Sequence, residues 1–184
     1  EIYTALMQRM QRGQVIFEVG KATAYMPQEE QISNEFYRLG DRYKVLLKDI
    51  VDSQMVVSRA DPAFLIGLFK LEVPEIESGV LEIKAIAREA GSRSKMAVVS
   101  HQDGVDPIGS CVGQRGVRIA NVMNELGEEK IDIIEWDEDP EKFIANSLSP
   151  AKIEDVKIVE DTATVIVPND QLSLAIGREG QNVR

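Results

Sequence analysis

Two short strings in this chain have the residue types and spacing to hold a phosphate: Gly113-Gln114-Arg115-Gly116 and Gly177-Arg178-Glu179-Gly180. Glycine lets a phosphodiester come against the main chain because no Cβ intervenes, and it accepts φ values that other residues resist. A helix opening directly after the second glycine would add unpaired N–H groups with partial positive charge, an anion site made of backbone. The middle residues, Gln114 and Arg115 in one string and Arg178 and Glu179 in the other, need not touch bases. Arg115 and Arg178 add charge, but at different middle positions, so they act as auxiliaries. With 13 glycines in 184 residues, about one Gly-x-x-Gly arises by chance, and either string alone is weak. Their surroundings strengthen both. Apolar residues at helical spacing precede each first glycine: Ile108, Cys111 and Val112, then Leu172, Ala175 and Ile176. An aliphatic residue stands third after each second glycine, Ile119 and Val183.

The elements that must position these strings follow from pattern. In residues 1–60, Val15, Phe17 and Val19 alternate and stop at Gly20; Tyr43, Val45 and Leu47 alternate after Leu39-Gly40-Asp41; and Met55 to Val57 precede Ser58-Arg59. Short strands separated by turn signals predict a small barrel, of the S-one type of OB-fold. Asp61-Pro62 then opens a helix through Phe64, Leu65, Leu68 and Phe69, with Asp as N-cap and Pro at the first helical position. A hairpin over Val80–Arg88 and Ser94–Ser100, the first glycine string between two helices, and a strand over Ile131–Trp136 complete residues 61–136. Asp139-Pro140 repeats the Asp61-Pro62 opening, Phe143, Ile144 and Leu148 supply an apolar face, and a second hairpin over Ile153–Val159 and Thr162–Val167 leads into the second glycine string. The order helix, strand, strand, helix, glycine loop, helix, strand is that of the bacterial, type II KH module, whose loop clamps about four nucleotides of single-stranded RNA. The fold expected is α+β and multidomain: a barrel over 1–60, a first KH module over 61–136 and a second over 137–184. Only four residues follow Gly180, so the second module is expected to be incomplete. The linkers at Asp61 and at 137–139 are short, which predicts rigid packing of the modules.

Composition bounds the function. A formal net charge of −10 opposes nucleic-acid binding, but the charge is uneven. Lys/Arg against Asp/Glu number eight against eight in 1–60, eight against thirteen in 61–136 and five against ten in 137–184. Near the first glycine string are Arg115 and Arg118, and the hairpin before it carries Arg88, Arg93 and Lys95. Local charge governs binding within a Debye length of about 8 Å, so modest affinity and a shallow salt dependence are expected. The barrel lacks an exposed aromatic cluster for stacking bases. Phe17 and Tyr25 are the candidates there, and alternation puts Phe17 inside; Arg59, ending the last barrel strand, is the better RNA-binding candidate. The lone Cys111 lies on an apolar face and reads as a small buried hydrophobe. His101 has no His or Cys partner near it, so no catalytic residue, metal site or cofactor is expected. The acidic run Glu135–Asp139 reads as a solvated junction that also caps the next helix. No apolar run approaches the roughly 20 residues that span a bilayer, and Glu1–Arg12 lacks a secretory pattern. A cytoplasmic monomer is expected.

Several strings carry a resemblance more specific than the KH order. They are Ser58-Arg59-Ala60-Asp61-Pro62-Ala63-Phe64-Leu65, Leu71-Glu72-Val73-Pro74-Glu75-Ile76 and Ala87-Arg88-Glu89-Ala90-Gly91-Ser92-Arg93, then Val105-Asp106-Pro107-Ile108-Gly109-Ser110-Cys111-Val112-Gly113, Ser147-Leu148-Ser149-Pro150-Ala151-Lys152 and Leu172-Ser173-Leu174-Ala175-Ile176-Gly177-Arg178-Glu179-Gly180-Gln181-Asn182. Over nearly its whole length the chain resembles the RNA-binding core of the NusA family of bacterial transcription elongation and termination factors. The resemblance implies a non-enzymatic factor that holds single-stranded nascent RNA across the barrel and both KH modules. It implies roles in pausing, termination and antitermination, and a partnership with RNA polymerase made mainly by an amino-terminal domain that this sequence does not include. The RNA-binding residues it implies are Gly113, Gln114, Arg115, Gly116 and Arg118 in the first module and Gly177, Arg178, Glu179 and Gly180 in the second. An accessory RNA-binding region of an RNA-processing enzyme, such as an exoribonuclease, is the alternative. A structural ribosome-associated protein is disfavoured by the sequence pI of 4.7.

Overall fold

A computed structural model describes all residues, 1–184. Five strands close a barrel in the order β1-β2-β3-β5-β4: β1 (Ile2–Gln11), β2 (Gln14–Val19), β3 (Ala22–Met26), β4 (Arg42–Val51) and β5 (Gln54–Ser58). All ladders are antiparallel except β3–β5, which closes the barrel in parallel. Bulges between Met7 and Arg9 and between Leu47 and Asp49 bend the long strands around the closure. The alternation read from sequence is what fills the interior, where Ala5, Met7, Val15, Phe17, Ala24, Met26, Val45 and Val57 form one buried cluster.

Helices α1 (Pro62–Glu72) and α2 (Pro74–Glu77) follow, with the Asp61 carboxylate accepting from the Ala63 N–H at the start of α1. The three-stranded sheet β6-β7-β8 comes next, from β6 (Leu81–Glu89), β7 (Arg93–Ser100) and β8 (Lys130–Glu135), with β8 parallel to β7. Between β7 and β8 stand α3 (Pro107–Val112) and α4 (Val117–Leu126), joined by the first glycine loop. The sheet buries Leu81, Met96, Val98 and Ile131 against Phe64, Leu65, Leu68, Phe69, Val122 and Leu126. Ile32 and Leu46 of the barrel belong to the same cluster. The core of the first α/β unit therefore extends to the outside of the barrel, whose own interior is a separate cluster.

The second unit comprises α5 (Pro140–Ser147), the hairpin of β9 (Asp155–Val159) and β10 (Thr162–Ile166), and α6 (Leu172–Ile176) with the second glycine loop. Asp139 caps α5 through the Glu141 N–H, as Asp61 caps α1. Polar groups bridge the two α/β units beside an apolar cleft lined by Ile86, Ile134, Phe143 and Leu148. Lys95 donates from Nζ to the carbonyls of Ser147 and Asn182, both at 2.6 Å. Burial pushes the Lys95 ammonium below its ordinary value. Gln181 donates to Glu89 at 3.1 Å and Ser92 at 2.9 Å, and Arg184 donates to Glu89 at 3.1 Å.

Candidate nucleic-acid interface

The first loop is built from its helices inward. Asp106 caps α3 through the Ile108 N–H, and the helix ends when the Gly113 N–H donates to the Gly109 carbonyl at 2.8 Å. Gly113 then takes φ 76° and ψ 171°, Arg115 φ 53° and ψ 24°, and Gly116 φ 76° and ψ 14°. These are left-handed or fully extended positive-φ conformations that favour glycine. At Gly113 the space is also closed, since a Cβ would stand 2.7 Å from Cγ of Arg118. Gly116 meets nothing within 4 Å, so there it is the backbone angle alone that favours glycine. The Gln114 and Arg115 side chains are exposed, and Gly109, Ser110, Gly113, Gln114 and Val117 line an open depression with Asp106 and Arg118.

The second loop repeats this geometry almost angle for angle. Gly177 has φ 76° and ψ 170°, Glu179 φ 54° and ψ 26°, and Gly180 φ 73°. Its closing bonds also match: Gly177 N–H to Ser173 carbonyl at 3.0 Å, and Gly180 N–H to Gly177 carbonyl at 3.2 Å. Here a Cβ on Gly177 would stand 2.8 Å from Cβ of Asn182. Arg178 and Glu179 are both exposed, 3.9 Å apart at their charged ends. The second loop thus carries no net side-chain charge at its middle positions, whereas the first carries one positive charge.

Arg118 and Asn182 stand two residues after the second glycine of their loops, and each fills the space behind the first glycine. That equivalence gives Arg118 a structural role in addition to the contact expected of it. Its guanidinium donates to the Glu75 carboxylate at 3.0 and 3.1 Å and to the Ser110 carbonyl at 2.7 Å. Asn182 does the same work with an amide, donating to the carbonyls of Leu148, Leu174 and Ala175. Both brace the loop from behind. A bond from its own backbone, with Arg118 assisting, holds the Glu75 carboxyl below its ordinary value.

Arg59, expected as an RNA contact, is instead on no exposed face. It is 0% exposed, sandwiched 5.4 Å from the Tyr43 ring and 5.1 Å from the Phe64 ring. Its guanidinium pairs with Glu35 and Glu125 and donates to the carbonyls of Lys44 and Glu125. Every direction in which it could meet a phosphate is occupied, so Arg59 joins the barrel to α4. The hairpin cations are likewise engaged. Arg88 is buried against Glu129, Arg93 pairs with Asp132, and Lys95 is spent on carbonyls. Unpaired positive charge lies elsewhere on the chain. Phe17 lies inside the barrel at 0% exposure, as alternation predicts. The exposed aromatic is one that pattern did not single out: Phe36, 86% exposed, in the segment between β3 and β4. The available signal was the pair Phe36-Tyr37, since neighbouring side chains in an extended segment point in opposite directions.

The remaining candidates fall outside the interface. Cys111 is buried, and burial pushes its thiol up to about 11. His101 is exposed and meets Glu82 at 2.7 Å. In the acidic run, Asp137 accepts from the Asp139 N–H and Asp139 from the Glu141 N–H. No helix is long and apolar enough to cross a membrane.

Comparison with known proteins agrees with this geometry. Residues 59–136 match the family described as "NusA-like first KH domain", and residues 140–184 the family described as "NusA-like second KH domain". Proteins named "Transcription termination/antitermination protein NusA" are similar along the whole chain. The protein of Thermus thermophilus is 50% identical over 100% of this chain and 49% of its own length. That of Bacillus subtilis is 47% identical over 100% and 51%, and that of Halalkalibacterium halodurans 46% over 100% and 50%. The chain spans about half the length of these relatives. A glycine loop repeated at the level of single dihedral angles, in two units that each match a NusA-like domain, leads to one assignment: this chain belongs to the NusA family.

Proposed function

We propose that this chain holds single-stranded RNA on its two glycine loops, without catalysis, as the RNA-binding core of a bacterial transcription elongation, termination and antitermination factor. The observation that carries this reading is the shared loop conformation at Gly113–Gly116 and Gly177–Gly180. Two positive-φ glycines bare the main chain in each loop, and at the first loop α4 opens beyond it with unpaired N–H groups. Such a loop grips phosphates by close approach, and single-stranded RNA is the nucleic acid whose backbone can follow it. The first loop is the stronger of the two, because Arg115 is unopposed while Arg178 has the Glu179 carboxylate beside it. The name shared by the relatives supports a role in termination and antitermination, with RNA polymerase as the partner that delivers nascent RNA. The chain works in the cytoplasm as a monomer, with the barrel over 1–60 and the modules over 61–136 and 137–184 as its units.

The test replaces Gln114-Arg115 with Asp-Asp. Like charges set against phosphates at an interface cost several kcal/mol, so affinity for a single strand should fall by more than about tenfold. Circular dichroism should be unchanged, since both side chains are exposed. Unchanged affinity would remove the first loop from the mechanism, and duplex RNA bound as tightly as single strands would contradict the single-strand reading.

A further inference from the structure

We infer that the segment between β3 and β4 is a base-stacking platform for single-stranded RNA, formed by the Phe36 ring with Arg9, Arg38 and Arg42 around it. This rests on the RNA-binding reading of the glycine loops and assigns a second contact to the same strand.

Isolated exposed apolar residues are ordinary on protein surfaces. Phe36 differs because everything around it is fixed. The Glu35 carboxylate is held by Arg59. The Tyr37 ring turns inward, 6.4 Å from the Phe17 centroid and 5.4 Å from that of Tyr43. Its hydroxyl accepts from the Ile32 N–H at 3.1 Å. The Tyr43 hydroxyl accepts from the Arg38 N–H at 2.9 Å and donates to the Phe36 carbonyl at 3.2 Å. Farther on, the Gly40 N–H donates to the Met7 carbonyl, and the Met7 N–H to the Asp41 carbonyl, both at 2.9 Å. The backbone of Phe36 is thus anchored on both sides while its ring faces water. A rigid aromatic with two side-chain torsions can be covered at little further entropy loss.

The charge around the ring selects the occupant. The β1–β4 ladder sets Arg42 opposite Leu6, and the bonds at Met7 bring the Arg9 end of β1 alongside Leu39 and Gly40. Arg9, Arg38 and Arg42 are exposed, and none has a carboxylate within 4 Å. Elsewhere on the barrel, Lys44 and Lys48 are paired with Glu125, Glu30 and Asp61, while Arg12 and Lys21 stand exposed in the turns after β1 and β2. Unpaired arginines around an exposed aromatic suit phosphates around a base, where stacking is tolerant of base identity. The apolar surface, Phe36 with Leu39 at 74% exposure, is small and has unpaired arginines on the same and adjoining backbone segments, unlike the contiguous apolar area of a protein interface.

The segment that carries Phe36 is also tied to the helix that follows the first loop. Arg59 ties Glu35 to both the carboxylate and the carbonyl of Glu125, at the end of α4. The glycine loop opens the other end of that ten-residue helix, roughly 15 Å away along the axis. The length of α4 thus sets the scale of the separation that a strand touching both would span.

The experiment measures anisotropy of a labelled single-stranded RNA of about 12 nucleotides, long enough for an OB-fold site, with the 184-residue chain. Phe36→Ala should weaken binding about tenfold, the size of one lost stacking contact. Phe36→Trp should restore affinity, and its fluorescence should be quenched when RNA is added. Wild-type chain that fails to bind the strand overturns the glycine-loop reading and the platform together. Phe36→Ala binding as tightly as wild type, while the Asp-Asp loop variant binds weakly, overturns the platform alone.

Discussion

Glu129 is a carboxylate sealed from water and surrounded by donors. Arg88 donates to it twice at 2.9 Å, the Gly91 N–H at 2.9 Å and the Ser94 hydroxyl at 2.7 Å. Burial works against its charge, yet Arg88, Gly91 and Ser94 together outweigh it and hold the carboxyl below its ordinary value. A carboxyl depressed in the folded state contributes stability above its unfolded value, near 4.3. That contribution is lost as pH falls through the lower native value. Glu129→Gln should therefore lower the melting temperature at pH 7 by roughly 6–12 °C, corresponding to about 3 kcal/mol for a broken buried pair in a chain of this size. The gap from wild type should narrow as pH drops from about 4 towards 3; a gap constant over that range would sink the assignment. Glu129 also shows what pattern reading does not reach. Its charge was legible, but its burial depends on Gly91, where a Cβ would strike Ile32 and Asn34 of the barrel. Arg59 is the same lesson with the sign reversed, a strand-end arginine that reads as a surface contact until Glu35 and Glu125 close over it from other parts of the chain. Contacts made across domains leave no trace in local spacing.

At the scale of elements the sequence was far more explicit. The Asp-Pro pairs at 61–62 and 139–140 start helices through the expected caps, and both hairpins stand within a few residues of their expected bounds. The glycine loops were legible because the feature that makes them, positive φ, is what glycine supplies. The two α/β units differ in how well they are packed. In the first, β7 has a partner on each side and buries Ser94, Met96, Ala97 and Val98. In the second, β9 and β10 pair only with each other, and Val156 is their one buried residue. A two-stranded ribbon with so little apolar cover is marginal in water, and amides exchange through the cheapest local opening. Hydrogen exchange of this chain should find the amides of 155–166 exchanging at least about 100-fold faster than those of 94–98. Equal protection of the two hairpins would mean that the polar contacts of Lys95, Gln181 and Arg184 couple the units more tightly than burial indicates.

For the whole molecule, the net charge of −10 misleads because it counts paired and unpaired groups alike. Arg59, Arg88, Arg93 and Arg118 are each held by a carboxylate. Turning any of them towards a phosphate would strand that carboxylate, and for the buried pairs the loss exceeds what a phosphate contact returns. The cations free to displace counterions at the proposed contacts are Arg115 on the first loop and Arg9, Arg38 and Arg42 around Phe36. Single-stranded nucleic acid gives a slope of log affinity against log salt of about −0.7 per neutralised phosphate, so four arginines give a slope near −3. Titrations at several salt concentrations should return that value, and Arg115→Ala or Arg38→Ala should each reduce its magnitude by about 0.7. A slope near −0.7 would leave Arg115 as the sole phosphate contact and remove the barrel from the interface. A slope of about −6 would require about four further cations at the interface, and the proposed set of contacts would then be too small. The intermediate value is the one that a rigid, acidic molecule with a few deliberately unpaired arginines should give.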